Sequence, residues 1–124
     1  MAQYAPAGWP AVIPRIAADD PKAVVGFIQY VFGAVGEYQD TRPTELRIDD
    51  SLIMVGSTVE REASPAFLYV YVEDADAVYR RAMERGAESI EEPQETPYGD
   101  RRAMVRDAWG NKWQIARYRG RFTP

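Results

Sequence analysis

The residues that could do chemistry in this chain are carboxylates, tyrosines and arginines, because the sequence contains no cysteine and no histidine. Cysteine nucleophiles, disulfides and zinc–thiolate sites are therefore excluded. The commonest transition-metal ligand and the commonest general base near neutral pH are missing together with histidine. The sequence also has no phosphate-binding glycine loop and no nucleophile elbow, so no motif supports a nucleotide-binding or hydrolase function.

One polar cluster stands out along the chain, in which Tyr98 is followed by Asp100, Arg101 and Arg102. Arginine side chains fork onto carboxylates and phosphates, so the cluster could hold an anionic group at the mouth of a cavity. The alternative interpretation is a turn whose charges are solvated. The sequence leaves both interpretations open.

Composition and charge indicate one globular domain. The chain has 124 residues, 46% of them apolar, and a formal net charge of -4. An acidic chain offers no general basic surface to nucleic acid or to an anionic membrane, so we expect neither as a partner. No apolar stretch approaches the ~20 residues that span a bilayer, and the first ten residues lack the features of a secretory signal. We therefore expect a cytoplasmic protein that folds as a single domain over residues 1–124.

Two helices are predicted from their caps and their apolar spacing. Asp20 precedes a proline, and the apolar residues that follow recur at helical spacing up to a stop at Gly33. Asp74 begins the second helix, which Gly86 ends. One strand-like run precedes each helix and three follow it: residues 11–17, 35–40, 44–48 and 51–55 around the first helix, and residues 66–72, 88–92, 101–106 and 112–118 around the second.

The two halves of the chain repeat each other in element order and in sequence. The pattern Asp-x-x-Ala-Val begins at Asp20 and again at Asp74, and a Gly-Ala pair follows each helix. Internal self-similarity of this kind indicates a duplicated structural unit. The sequence thus predicts an α+β fold of two βαβββ modules, module one over about 11–58 and module two over about 65–118.

Several segments together resemble a known superfamily. The first helix ends in Phe32-Gly33-Ala34, and the hairpin after it reads TELRIDDSLIM from Thr44 to Met54. The second module opens on LYVYVED and closes on YGDR and VRDAWGNKW. These motifs, within about residues 11–118, resemble the vicinal-oxygen-chelate superfamily (glyoxalase/bleomycin resistance protein/dioxygenase), and within it the PhnB-like branch. The resemblance implies a curled mixed sheet around a cavity and, as in many members, a homodimer. It does not imply one function, because this fold serves many.

The same resemblance assigns four metal-ligand positions to this sequence. They fall on or near Ile13, on Glu45, near Phe67 and on Gln114. Glu45 is the one strong ligand of the four, since an amide is a weak ligand and the two apolar side chains offer no donor atom. A catalytic divalent ion needs three or more good ligands. We therefore expect no bound metal and no cofactor.

The resemblance also implies a ligand cavity with mainly apolar walls. Trp113 could stack on a planar ligand. Glu45 could be a buried carboxylate that acts as a general base or anchors a cation, or it could pair structurally with Arg47 or Arg101. Because strand residues alternate between faces, some of the candidates must pack in the core instead. The candidate ligand-binding residues are Ile13, Glu45, Met54, Phe67, Tyr69, Tyr71, Arg101, Met104, Trp113 and Gln114.

Three functions fit these observations. The first is a metal-free protein that binds a small, partly aromatic molecule, as antibiotic-binding relatives do. The second is a glyoxalase-like lyase or isomerase, or a dioxygenase-type enzyme, that uses Glu45 as its catalytic residue or an atypical metal. The third is a structural or regulatory dimer whose cavity is filled by side chains. The sequence does not identify the ligand, any reaction or the dimer arrangement.

Overall fold

The computed structural model of the chain describes residues 4–59 and 62–120. These residues form two compact units. The first contains the described residues up to Gln29 together with Gly33–Ser64, and the second contains Tyr30–Phe32 together with the described residues from Pro65 onward. Neither helix in this part of the chain is long and apolar enough to cross a membrane.

Three strands build the sheet of the first unit: β1 (Arg15–Ala18), β2 (Thr44–Ile48) and β3 (Ser51–Ser57). They lie in the order β1-β3-β2, with β3 parallel to β1 and antiparallel to β2. Asp49 takes a φ of 51° in the tight turn between β2 and β3, a conformation that the short aspartate side chain tolerates. This turn fixes the register of the hairpin.

Helix α1 (Pro21–Phe32) begins and ends where the sequence predicts. The Asp20 side chain accepts a hydrogen bond from the Ala23 N–H at 3.1 Å. Gly33 takes the left-handed conformation with a φ of 67°, and its N–H donates to the Gln29 carbonyl at 2.9 Å. The buried apolar residues of the helix are Val24, Val25, Phe27, Ile28 and Val31.

The strand predicted over residues 35–40 is wrong beyond its first residue. Within this stretch Val35 alone pairs with β2, through two hydrogen bonds to Arg47 of 2.9 and 2.8 Å. The next residue, Gly36, has a φ of 145°, which residues with side chains rarely adopt. The chain leaves the strand direction at this glycine, and residues 37–43 form a loop.

The second unit holds a complete four-stranded sheet and one helix. The strands lie in the order β4-β7-β6-β5, with β4 parallel to β7 and the remaining neighbours antiparallel. The helix α2 packs on β5, β6 and β7. The elements are β4 (Phe67–Tyr71), α2 (Ala75–Glu84), β5 (Glu88–Glu95), β6 (Asp100–Arg106) and β7 (Lys112–Tyr118).

Helix α2 repeats the capping of α1. The Asp74 side chain accepts a hydrogen bond from the Ala77 N–H at 3.1 Å, the same distance as at Asp20. Gly86 follows the helix with a φ of 88°, and its N–H donates to the Met83 carbonyl at 3.1 Å. The buried residues of this helix are Ala75, Val78 and Ala82.

The predicted fold class is confirmed, because each unit follows the βαβββ plan of an α+β protein. In both units the first and last strands are parallel neighbours, and the helix follows the first strand in sequence. Val35 pairs with β2 on the side away from β3, just as β5 pairs with β6 on the side away from β7. The single bridge at Val35 therefore corresponds to β5 of the second unit. The module boundaries at about 11–58 and 65–118 stay a prediction.

Candidate functional site

The sheet of the second unit has one face that is rich in exposed aromatic rings. Phe67, Tyr69 and Tyr71 alternate along β4 and point to the same side, with 61%, 38% and 48% of their surfaces exposed. Tyr69 pairs with Gln114 on β7, which pairs in turn with Met104 on β6. Five of the predicted ligand-binding residues therefore share one face. We call it the tyrosine face, defined by Phe67, Tyr69, Tyr71, Met104 and Gln114.

A buried carboxylate connects the two tyrosines of this face. Asp100 is 1% exposed, and its Oδ2 accepts hydrogen bonds from the hydroxyl groups of Tyr69 at 2.7 Å and Tyr71 at 3.0 Å. The centroids of the two rings lie 5.3 Å apart, with 57° between the ring planes. Hydrogen bonds to an ionised acceptor are stronger than those between neutral groups. Asp100 therefore holds both rings in place while their outer surfaces stay exposed.

The turn between β5 and β6 positions this carboxylate. The N–H and the hydroxyl of Thr96 donate to the Asp100 carbonyl at 2.8 and 2.9 Å, and the Asp100 N–H donates back to the Thr96 hydroxyl oxygen at 3.0 Å. Gly99 takes a φ of 95° within the turn, a conformation that glycine adopts without strain. The polar cluster identified in the sequence around Tyr98 is therefore a closed turn that begins β6.

Charged groups lie beside the aromatic rings of the tyrosine face. Arg102 shares the face of Asp100 because it is two residues further along β6. Its guanidinium lies 3.3 Å from Glu91 Oε1 and contacts the Tyr98 hydroxyl. The Lys112 ammonium lies 5.7 Å from the centroid of the Phe67 ring, within the range of a cation–π contact. The face thus offers apolar rings together with acidic and basic groups.

The protonation state of Tyr69 suits a binding role. Burial of the hydroxyl, followed by its hydrogen bond to Asp100, raises the pKa of Tyr69 above its ordinary value of about 10. The hydroxyl therefore stays protonated at neutral pH and donates to the carboxylate. A protonated phenol cannot take up a proton from a substrate, so the Tyr69 hydroxyl does not act as a general base at neutral pH.

Trp113 and Arg101 lie on the opposite face of the same sheet. Trp113 is 0% exposed, its indole N–H donates to Asp107 Oδ2 at 3.0 Å, and its ring centroid lies 4.9 Å from that of Phe32. Arg101 donates to both carboxylate oxygens of Asp76 in α2, at 3.1 and 3.2 Å. The structure thus places Trp113 in the core and Arg101 against the helix, because strand alternation turns both away from the tyrosine face.

The candidate residues of the first unit lie at and before its sheet. Glu45 on β2 and Arg15 on β1 both pair with Met54 on β3, so the three residues form one row across the sheet. Ile13 is half-buried and precedes β1. Glu45 is exposed and forms no ion pair within the described residues. The structure therefore forms neither the buried carboxylate nor the arginine pairing that the sequence suggested for this residue.

The four positions that the family resemblance assigns to a metal do not fit one. Ile13 and Phe67 carry hydrocarbon side chains, Gln114 carries an amide, and Glu45 is an exposed carboxylate. Across residues 4–59 and 62–120, no three Asp or Glu side chains come together in a way that could hold an ion. One carboxylate and one amide compete poorly with water for a divalent cation. The residues present therefore give no basis for a step that runs through a metal.

The architecture defines a class of α+β proteins that are built from two βαβββ units. A family model described as the Glyoxalase/Bleomycin resistance protein/Dioxygenase superfamily matches residues 14–115 of the chain. The chain belongs to this superfamily.

The chain is also similar to other proteins in sequence or in fold. The crystal structure of TioX from Micromonospora sp. ML1 is 25% identical in sequence and has a TM-score of 0.75, with 88% of this chain and 98% of that chain covered. An uncharacterized protein of Mycobacterium bovis is 25% identical over 124 residues, which cover 86% of this chain and 82% of that protein. The fosfomycin resistance protein FosX from Mesorhizobium loti shares the fold with a TM-score of 0.65 at 17% identity, with 87% of this chain and 91% of that chain covered.

Sequence reasoning missed the link between Asp100 and the two tyrosines. One signal was present, because residues two apart on a strand point to the same face and Tyr69 and Tyr71 have that spacing. The other half of the link depends on the strand order β4-β7-β6 and on the registers of β7 with β4 and β6. These bring Asp100 to Tyr69 and Tyr71 from sequence distances of 31 and 29 residues. Sequence patterns alone do not supply that register.

Proposed function

We propose that the tyrosine face binds a small, partly aromatic molecule without the help of a metal. One observation carries the proposal: Asp100 holds the hydroxyl groups of Tyr69 and Tyr71, so two exposed rings stand side by side in fixed positions. Rings that are already ordered lose little conformational entropy when a planar ligand stacks on them. The proposal therefore rests on preorganised aromatic surface.

The surroundings of the two tyrosines support the same function. Phe67 extends the apolar surface along β4, and Gln114 lies next to Tyr69 as a polar partner for ligand substituents. Arg102 supplies a cation beside the rings. Small-molecule sites are typically apolar with a few polar groups that orient the ligand, and this face has that composition.

The enzymatic alternative has less support than binding. A glyoxalase-like lyase or isomerase, or a dioxygenase-type enzyme, would need Glu45 as a base or an atypical metal. Glu45 is exposed, so it lacks the burial on which its predicted role as a base depended.

The placement of the chain in the PhnB-like branch stays a prediction from its motifs.

A homodimer that forms through another surface is part of the proposal, because the family resemblance implies a dimer. Exposed aromatic rings often mark an interaction surface, so a second copy of the chain is a competing occupant of the tyrosine face. Analytical ultracentrifugation over a range of concentrations measures the mass in solution. If Phe67→Ser converts a dimer to a monomer, the face is covered by a second copy and the small-molecule proposal for it fails.

An NMR titration of uniformly 15N-labelled protein with indole and 2-naphthol tests the proposed binding. We expect saturable shifts of backbone amides in residues 67–71, 100–104 and 112–116. Tyr69→Ala removes one ring, and we expect binding to weaken about 2- to 12-fold, since an aromatic pair contributes about 0.5–1.5 kcal/mol beyond its buried area.

Tyr30→Ala is the matched control for this titration. Tyr30 has nearly the same exposure as Tyr69, 37% against 38%, and its hydroxyl also donates to a carboxylate at 2.7 Å, that of Glu84. It lies on α1 and belongs to none of the strands that form the tyrosine face. We expect this variant to bind both probes as the wild type does. An equal loss in both variants, or shifts outside the named strands, would contradict the proposal.

A further inference from the structure

A cavity of about 340 Å³ lies within the first unit, and the proposed function does not use it. It is formed where the loop that replaces the expected strand meets β1 and β3. Its volume lies within the range of small-molecule sites, which is roughly 300–1,000 Å³. The residues that matter to the inference are Arg15, Asp40, Thr41, Arg42, Pro43 and Gly56.

Two arginines give this cavity its charge. Within the described residues neither Arg15 nor Arg42 forms an ion pair, whereas each ion pair found there lies in the second unit. Among the described residues that line the cavity, Asp40 is the one carboxylate. Two guanidinium groups and one carboxylate leave a net positive charge, and a guanidinium fork matches the planar geometry of a carboxylate ligand.

The loop that carries Arg42 is anchored on both sides. The Gln29 side chain donates to the Gly36 carbonyl at 2.7 Å, before the loop. Within the loop, the Gln39 N–H donates at 2.9 Å to the hydroxyl oxygen of Thr44, a residue that is 0% exposed. A site whose backbone is already ordered loses less entropy on binding than a mobile one.

Gly56 on β3 keeps the cavity open. A Cβ at this position would lie 3.7 Å from Pro43 and 3.9 Å from Arg15 Nη2, which are ordinary contact distances. Its φ is not positive, so the backbone accepts a side chain here without strain. A larger residue would therefore occupy the space between the arginine and the loop without removing either cationic group.

A smaller depression of about 190 Å³ shares Gln39, Arg42 and Pro43 with the cavity and adds two carboxylates, those of Glu37 and Glu45. These carboxylates would repel a second anionic group on a ligand and attract a cationic one. The same repulsion disfavours a doubly charged phosphate. The charge distribution thus favours a singly charged carboxylate whose other end carries an ammonium group.

We propose that the first unit binds a small zwitterion of the amino-acid type, with its carboxylate between Arg15 and Arg42 and its ammonium group toward Glu37 and Glu45. The site shares no residue with the tyrosine face, since each described residue that lines it belongs to the first unit. Failure of this proposal would therefore leave the proposed function untouched, and the reverse also holds.

The test is an NMR titration of 15N-labelled protein with 4-aminobutyrate, butyrate and inorganic phosphate at constant ionic strength. We expect 4-aminobutyrate to give saturable amide shifts in residues 15, 39–43 and 56–57, with butyrate weaker and phosphate weakest. Arg42→Gln should weaken binding by about tenfold or more, because hydrogen bonds to charged groups are among the strong ones. Gly56→Val should also abolish or weaken binding, although it retains both arginines.

Arg47→Gln is the matched control, since it makes the same charge change at an exposed arginine of the same unit that does not line the cavity. We expect its affinity for 4-aminobutyrate to equal that of the wild type. Retained dispersion of the amide spectrum shows that each variant is folded. Shifts that do not saturate, tighter binding of phosphate than of 4-aminobutyrate, or an equal loss in Arg47→Gln would overturn the proposal.

Discussion

The two units follow the same βαβββ plan but differ at the edge and on the exposed face of the sheet. The second unit forms four strands, and the ion pairs of the described residues lie there. The first unit forms three strands and replaces the fourth by one bridge at Val35 and a loop. The complete sheet presents fixed aromatic rings, whereas the incomplete one leaves a charged cavity beside the loop.

This difference shows how a duplicated unit can diverge without a change of fold. In the second unit, β6 brings Asp100 to the tyrosines of β4 and Arg102 to Glu91 of β5, so these polar groups have partners. In the first unit, a glycine ends the strand after one pair, and the cavity arginines keep no acidic partner among the described residues. The plan of the fold is kept, and the edge strand decides which kind of site each unit offers.

The largest expected effect comes from the buried face of the second sheet. Trp113→Ala should lower the free energy of unfolding by about 3–5 kcal/mol, because it removes a fully buried ring and the hydrogen bond to Asp107. Phe67→Ala on the tyrosine face is the control. This substitution should change the free energy of unfolding by less than about 1 kcal/mol, since the ring is 61% exposed. Urea unfolding measures both values. Similar losses of unfolding free energy in the two variants would contradict the assignment of Trp113 to the buried face of the sheet and of Phe67 to its exposed face.

An intermediate effect is expected at the glycine that ends the strand of the first unit. Gly36→Ala places a Cβ 2.2 Å from the Glu45 carbonyl oxygen at a residue with a φ of 145°. Backbone strain of this kind costs about 1–3 kcal/mol, so the free energy of unfolding should fall by at least that amount. Gly26→Ala is the control, because it lies inside α1 with open space around it and should stabilise by up to about 1 kcal/mol. A neutral Gly36→Ala variant would contradict the account of the missing strand.

The smallest expected effect is on how the free energy of unfolding changes with pH in alkaline solution. The folded state holds the Tyr69 proton more tightly than the unfolded state does, because burial and Asp100 raise its pKa. The stability that the folded state gains from the raised pKa of Tyr69 is complete below about pH 10, and it is lost as the pH rises through the pKa of Tyr69 in the folded state. The free energy of unfolding of Tyr69→Phe should therefore fall less steeply above pH 10 than that of the wild type. Tyr4→Phe, which changes an 87% exposed ring, should follow the wild-type slope.

The sequence allowed the helices and their ends to be predicted because the signals there are local. Asp20 and Asp74 cap the helices, and Gly33 and Gly86 follow them with positive φ. The strand predicted over residues 35–40 failed because its composition does not reveal that Gly36 takes an unusual conformation. The Gly36 carbonyl accepts a hydrogen bond from the Gln29 side chain, and a Cβ at Gly36 would lie 2.2 Å from the Glu45 carbonyl oxygen; local composition reveals neither contact.

The site was harder to predict than the fold for a related reason. The exposure of Glu45 follows from strand alternation, since its neighbours Thr44 and Leu46 are buried, but the family resemblance suggested an inward position. Trp113 and Gln114 differ by one residue, and the register of β7 decides which of them faces the tyrosines. Alternation along a strand shows which residues share a face, but it does not show which residues of the neighbouring strands that face meets.

The most direct test of the central claim, that the two units carry different sites, is a sequential NMR titration of one labelled sample with 2-naphthol and then 4-aminobutyrate. We expect 2-naphthol to shift amides in residues 67–71, 100–104 and 112–116. We expect 4-aminobutyrate then to shift a separate set in residues 15, 39–43 and 56–57, with an affinity that the first ligand does not change. Absence of saturable shifts in the tyrosine face, or competition of the two probes for one set of residues, would contradict it.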